Sequence, residues 1–530
     1  MTRDNGDSRV SRRRLLELAG SAAAFATLAG CSTENRQTTT QTESPGPGPG
    51  PSETGTSTTH TPSGTETTGH ALQFDHVVDM VEAGADDTGT EPVDALIEKH
   101  AADHTLLRFP QGEYLLTKGH KFSEFTNLGF VGDGATLVPR GLPNGYLFVF
   151  GTEQPGNATG LLFRGFEFDY SASDSGGTAL NVLVDDGVYV RDVSVHGPQR
   201  LPRILLGVAV MKPDGTGVVE RLHFPDGAPA GGWPVGIFVH RFHVGDLTFR
   251  DCRVEHFPNN GLYASEAQGP VKVEGGRFRN NDISQVRLGS RGSYARNVEV
   301  VVDAVRPKDR NQRGIWLRHP DGVEVDGCTV RVEESTGTAI HVEGGRAATL
   351  KNTDVTIDAS RYALNVVPDS PTGTGHVTVD NLHVTGSATG EHVRYAVQCN
   401  RDNTRFRNVR LHQVAHGRGG IRIGGRNCVI DGGSWVAARS PIAVAISRTH
   451  PGDTCLIRLE NVGNLRATTV ANPGGRLHLD GSASGSNGTS YCVTTGVLGS
   501  RSALGSQDFT VVINELGKQG AVGRILDGIQ

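Results

Sequence analysis

Val188-Tyr189-Val190-Arg191-Asp192-Val193-Ser194-Val195 is two short strand-forming runs hinged on one acidic residue. Leu161-Leu162-Phe163-Arg164-Gly165-Phe166-Glu167-Phe168 has the same form, with glycine as the hinge. Apolar and polar residues alternate within the runs, the period of a half-buried strand. Further copies start near Leu247, Val271, Tyr294, Val323, Ala348, Val377, Thr404 and Cys428, at intervals of 23 to 29 residues. A strand-built repeat of that length predicts a solenoid in which each copy is one coil. The hinge is Asp251, Gly275, Asn297, Gly327, Asn352, Asn381, Asn408 or Gly432. These residue types tolerate the left-handed backbone that a sharp bend needs. The residue after the hinge, Cys252 and Cys328 among them, is expected inside the coil.

A third run completes each copy. It reads Gly236-Ile237-Phe238-Val239-His240, then Gly261-Leu262-Tyr263-Ala264-Ser265, and recurs down to Gly420-Ile421-Arg422-Ile423-Gly424. Ahead of the repeat, Pro92 to Ala102 has helical character, and Leu106 to Leu116 returns to strand. An open coil end exposes a sheet edge, so a cap is required; the helix serves one end and Phe509 to Ile525 the other.

Three strands per coil, one tight bend and one variable loop resemble the right-handed parallel β-helix of the pectin-lyase-like superfamily. The resemblance covers about residues 72–465. It implies an all-β, three-strand solenoid with a short N-terminal capping helix. Lyases, hydrolases, epimerases and binding proteins share that fold, so function has to be argued from the site.

The 530 residues carry a net charge of −6 and 71 glycines. No basic stripe is present, which argues against a nucleic-acid partner, and no run of 18 apolar residues offers a membrane-spanning helix. The first residues read as an address. Ser11-Arg12-Arg13-Arg14-Leu15-Leu16 resembles a twin-arginine export signal, and the apolar stretch after it ends in Leu28-Ala29-Gly30-Cys31, which resembles a lipoprotein lipobox. Residues 1–31 are therefore expected to be a signal peptide with Cys31 as the lipidated residue. Residues 32–70, rich in Thr, Ser, Pro and Gly, are expected to be a disordered stalk, and 71–530 one β-helix domain including its C-terminal cap. The expected location is the outer face of the cell membrane, with the lipid as the sole membrane contact and the protein a monomer. Scarce lysine and the Thr-rich stalk resemble lipoproteins of haloarchaeal type. Six cysteines follow Cys31, none at metal-binding spacing.

The third runs carry the candidate site. Alternation sends Ile237, Leu262, Val286 and Ile315 inward and their neighbours outward, in one column: Phe238, Tyr263, Arg287, Trp316, His341, Asn365, Gln398 and Arg422. A second column adds His240, Ser265, Arg318, Glu343 and Asn400. Rings stack on sugar faces, guanidinium forks match carboxylates or sulfates, and amides read hydroxyls. Eight rungs at roughly 4.8 Å make a groove of roughly 35 Å, long enough for an oligosaccharide.

The expected partner is thus a polysaccharide. The leading expectation is a lyase that cleaves uronate-containing chains by β-elimination, with Arg287, Arg318 or Arg422 neutralising the carboxylate and His341, Tyr263, His319 or His240 removing the proton. Phe238, His240, Trp316, Asn365, Gln398 and Arg422 would hold the chain. No metal ligand is singled out. Calcium is the one ion such chemistry could use, and no acidic cluster stands out for it. A glycoside hydrolase, needing two carboxyls about 5–9.5 Å apart, with Glu343 and a loop acid such as Glu266, Asp282, Asp303 or Asp309 as the candidate pair, and a non-catalytic glycan-binding lipoprotein are the alternatives. Neither the paired aspartates of polygalacturonases nor the calcium aspartates of pectate lyases are evident.

Overall fold

A strand that bends once and continues needs one residue per coil with positive φ, and every predicted hinge has it. Asp251 sits at φ +49°, Asn297 at +54°, Asn352 at +48°, Asn381 at +53° and Asn408 at +51°, and Gly275, Gly327 and Gly432 fill the remaining places. The structure, a computed structural model, describes residues 72–439 apart from 142–144, 202 and 369–374. Beyond them it describes the strands Ile442–Val444, Ile457–Glu460, Gly463–Ala467, Ser490–Thr495 and Val511–Glu515. The signal, the lipobox with Cys31 and the stalk lie outside the described residues.

The hinges produce a right-handed parallel β-solenoid. One coil runs Asp246–Arg250, bends at Asp251-Cys252, continues as Arg253–Glu255 and closes with Asn260–Tyr263. The next runs Val271–Glu274, Arg277–Arg279 and Ser284–Leu288, and pairs with it in parallel: Leu247 opposite Val271, Arg253 opposite Arg277, Leu262 opposite Val286. The two strands flanking each hinge join one large sheet, and the closing strands form a separate sheet of 13 strands. Hinge side chains are linked along the stack: Asn381 Nδ2 donates to Asn352 Oδ1 at 3.0 Å, and Asn352 Nδ2 to Asp326 Oδ1 at 2.9 Å.

One coil escapes the sequence pattern. Thr216–Glu220 and His223–Phe224 form a rung between those starting at Val188 and Leu247, closed by Ile237–Val239. Its hinge is Arg221, at φ +51°. A side chain that ordinarily avoids this backbone is tied down by Asp192, the hinge one rung below, with Nε 2.6 Å from Oδ1.

The core changes character along the axis. Its first coils are filled by Phe109, Phe130, Phe148, Phe150, Phe163 and Phe168, all buried and in ring contact. Later coils stack Val, Leu and Ile, with Cys252 and Cys328 as buried free thiols. The N-terminal helix is Asp94–His100, shorter than the predicted stretch. Ile97 is wholly buried, and Asp94 accepts from Thr117 Oγ1 at 2.7 Å and lies 2.9 Å from His120 Nε2. At the other end Ser490–Thr495 pairs antiparallel with Ile457–Glu460, and Val511–Glu515 antiparallel with Ser490–Thr495. The expected cap at Phe509 to Ile525 overlaps that last strand; the rest of it lies outside the described residues.

Two glycines separate backbone strain from crowding. Gly276 (φ +82°) would place a Cβ 2.4 Å from the Cys252 carbonyl, whereas Gly322 (φ +75°) has open space around it. Both Ala variants incur the left-handed cost of about 1–2 kcal/mol. Gly276→Ala is expected to lower the urea midpoint further than Gly322→Ala, and equal shifts would contradict this packing at the hinge.

Candidate functional site

The closing strands hold the predicted column in unbroken register. Phe238 lies opposite Tyr263, Tyr263 opposite Arg287, Arg287 opposite Trp316, and Trp316 opposite His341. His341 then faces Asn365, Asn365 faces Gln398, and Gln398 faces Arg422. All eight side chains therefore share the outer face of the 13-stranded sheet. Towards the N-terminus the column continues through Gly207 and Asn181.

Contacts run along this file. Asn181 Oδ1 lies 2.8 Å from His240 Nε2, and the His240 ring packs edge-on against Phe238, centroids 5.0 Å apart. Phe238 meets Tyr263 edge-on at 5.2 Å. The Arg287 guanidinium lies 4.0 Å from the Tyr263 ring centroid and 4.2 Å from that of Trp316. Arg313 adds a second guanidinium 4.1 Å from Trp316, and Arg318 a third at 5.8 Å. Past Trp316, His341 Nδ1 is 3.4 Å from Asn365 Nδ2, and Gln398 accepts from Tyr362 Oη at 2.8 Å.

The middle of the column is more enclosed than a solvated sheet face. Arg287 is 5% exposed, and Trp316 and His341 are each 9% exposed, while Phe238, Tyr263, Asn365, Gln398 and Arg422 are half-buried. The Trp316 ring, expected as a sugar platform, is covered by guanidinium groups instead. The loops leading into the sheet are tied to one another. Arg306 Nη1 donates to the Ala228 and His256 carbonyls at 3.0 and 2.7 Å, and Asp309 accepts from Arg306 Nε at 3.3 Å. In one of these loops Trp233 is 61% exposed, its carbonyl held by Asn259 Nδ2 at 3.1 Å.

Charge is unbalanced here. Three arginines surround Trp316, and no carboxylate lies within ion-pair distance of any of them among the described residues. Tyr263 Oη donates to Glu266 in a short hydrogen bond. Glu343, opposite Arg318, has its carboxylate 3.9 Å from His341 Nε2. With its amide turned to accept, Asn311 brings its oxygen 2.8 and 2.6 Å from the Arg313 guanidinium. Arg287 Nε and Nη2, Trp316 Nε1, Arg318 Nε and Ser265 Oγ are buried without a hydrogen-bond partner.

Burial moves the titrating groups away from neutrality. It lowers His341 to about 4, with Arg313 pushing the same way against Glu343. Burial alone lowers His240 to about 4. Burial raises Tyr263 to about 12, and the bond to Glu266 adds to the rise against the pull of Arg287. Burial lowers Arg287 to about 10, leaving it charged at neutral pH. Neither expected base, His341 nor Tyr263, is thus poised near pH 7.

The hydrolase pair is not assembled either. Asp282 accepts the backbone amides of Arg310 and Asn311, Asp303 pairs with Arg279, and Asp309 pairs with Arg306. Glu266 accepts from Tyr263 Oη and Glu343 lies beside His341, on coils three rungs or roughly 14 Å apart at the interstrand spacing. Among the described residues, no three His, Cys, Asp or Glu side chains gather as a metal cage.

No protein-family profile matches the chain, and no curated protein matches it in sequence. Solved structures resemble it weakly. A Streptococcus pneumoniae surface protein and adhesin, PfbA, is 12% identical at a TM-score of 0.39, over 71% of this chain and 99% of that one. The A-module of the Azotobacter vinelandii mannuronan C-5 epimerase AlgE4 is 13% identical at 0.32, over 75% and 98%. ORF18 of Geobacillus virus E2 is 14% identical at 0.38 over 63% of this chain, which spans 59% of that protein's length.

Sequence reading placed the column and its inward partners. It did not single out Arg313, Asn181 or Trp233. Arg313 opens the strand Arg313–Arg318, one residue ahead of the repeated run that begins at Gly314, and Trp233 stands in a Pro- and Gly-rich loop that carries no period.

His341 and His240 set a pH dependence. Their folded pKa values lie below the ordinary 6.5, so the unfolded chain binds more protons as pH falls. Stability from these groups is complete above about pH 6.5 and is lost as pH falls through 4, on the order of 3 kcal/mol for each. Urea midpoints measured across that window should fall. His341→Gln should flatten the fall, and an unchanged slope would show that His341 is not buried as described.

Proposed function

We propose that the outer face of the 13-stranded sheet holds an extended acidic polysaccharide outside the cell, on a chain exported through its twin-arginine signal and anchored by lipid at Cys31. The observation that carries this reading is the in-register file from Phe238 to Arg422. A polymer of repeated units is matched by a row of side chains repeated at one spacing, and the row mixes rings, amides and guanidinium groups. Asn365, Gln398 and Arg422 offer hydroxyl and carboxylate contacts at one end, and Phe238 and Tyr263 apolar edges at the other.

Retention of the chain is favoured over its cleavage. Elimination needs a base able to take a proton near neutral pH, and burial has moved His341 down and Tyr263 up. β-Elimination is the second reading, supported by the juxtaposition of Arg287 with the Tyr263–Glu266 pair and with neutral His341. There Arg287 and Arg318 would neutralise the uronate while His341 or Tyr263 acts as base.

The full chain is expected to retain uronate polysaccharides in a co-sedimentation assay without producing ultraviolet-absorbing unsaturated ends. Appearance of such ends would move the assignment to elimination, and new reducing ends without that absorbance would point to hydrolysis. Arg422→Gln should weaken retention several-fold. Absence of retention on every acidic polymer tried would end the groove reading.

A further inference from the structure

Tyr263, Arg287 and Trp316 stand side by side on three adjacent strands, and Arg318 ends the third. Ser265 lies in the turn after the first strand, and Gly289 just past the second, packed between the backbones of Ser265 and Arg318. Glycine is needed there, because a Cβ would fall 2.5 Å from the Arg318 carbonyl and 3.2 Å from the Ser265 Cα.

These residues carry five buried donors without a hydrogen-bond partner: Nε and Nη2 of Arg287, Nε1 of Trp316, Nε of Arg318 and Oγ of Ser265. Four of the five belong to groups that can only donate, and the serine hydroxyl can turn to do so. Buried polar groups are almost always hydrogen-bonded, and a buried charge without a partner is costly. Cation–π contacts with Tyr263 and Trp316 hold the Arg287 fork flat between two rings, but they occupy its faces rather than its N–H edge. A set of donors with an excess of positive charge and no acceptor is complementary to an oxyanion.

We propose that this set of donors is a single subsite for one small oxyanion, a carboxylate or sulfate ester carried on the glycan. It would be bound by the Arg287 edge, Trp316 Nε1, Arg318 Nε and Ser265 Oγ. The inference rests on the groove reading for its polymeric ligand, but the subsite itself needs only the anion. It makes recognition of the chain selective at one unit: neutral sugars leave the donors unpaired, and an acidic unit satisfies them. Asn365, Gln398 and Arg422 then contact neighbouring units without setting the charge.

The test is calorimetry on the full chain with sodium sulfate and sodium glucuronate in separate arms, at constant ionic strength, with tryptophan fluorescence recorded in parallel. The expected result is saturable binding at one anion per chain and a fluorescence change lost in Trp316→Phe. Arg287→Gln should weaken binding at least tenfold, Arg318→Gln and Ser265→Ala several-fold, and Arg296→Gln, on the large sheet, not at all. Should Arg287→Gln fail to fold, Ser265→Ala and Arg318→Gln decide the matter. Non-saturable binding, or equal affinity in Ser265→Ala and Arg318→Gln, would overturn the subsite. A polymer arm separates the two levels of the argument. Small-anion binding without polymer retention removes the groove and keeps the subsite, while retention of neutral and acidic polymers alike removes the subsite and keeps the groove. The better of the sulfate and glucuronate arms identifies the source of the oxyanion.

Discussion

One left-handed residue per coil is the constraint on which the structure depends. Positive φ at Asp251, Asn297, Asn352, Asn381 and Asn408 turns each strand sharply enough to stay in the same coil. The flanking strands can then pair with the coil above and the coil below. Parallel pairing without a register slip keeps each inward residue over the next, which is how Ile315, Ile340 and Leu364 share one buried column. The same register that builds the core aligns the outward residues, so the candidate site is a by-product of the stacking rule and needs no special loop to assemble it.

That alignment gives each outward side chain neighbours at roughly 4.8 Å above and below. At such a spacing a ring and a guanidinium stack, whereas two like charges repel. The sequence along the file obeys this: Arg287 stands between the rings of Tyr263 and Trp316, and neutral His341 follows, so the positive charge is interleaved with π-faces. Interleaving makes a buried arginine tolerable, but it supplies no acceptor for its N–H groups. The file is thus stable enough to fold and left electrostatically incomplete, which is the condition expected of a binding site rather than of a packed surface.

The fold was legible because its determinants are local and repeated. A hinge residue followed by an inward residue recurs at Asn297-Val298, Asn352-Thr353 and Asn408-Val409, and repetition turns a weak signal into a strong one. It failed at Arg221, where the left-handed hinge is held by a tertiary contact with Asp192 that no local pattern reveals. The composition of the site was legible for the same reason as the fold, since alternation assigns a face. Its enclosure was not. Arg313, three residues ahead of Trp316, lies over its ring, and Arg287 is clamped between the Tyr263 and Trp316 rings, contacts that strand alternation does not reveal.

Enclosure in turn decides which chemistry the face supports. Had the column been open, Tyr263 and Trp316 would have offered flat platforms to sugar rings, and His341 would have titrated near its ordinary value. With guanidinium groups over the rings, the stacking surface is spent on the protein's own cations. With His341 and Tyr263 displaced from neutrality in opposite directions, neither is poised to take a proton near pH 7. What remains available at the centre of the file is the N–H edge of a clamped arginine beside an indole N–H and a hydroxyl. In the proposed reading those groups would hold a negative charge in one place along a glycan whose other units lie against amides and half-buried aromatic edges, and selectivity for acidic units would follow from that division of labour.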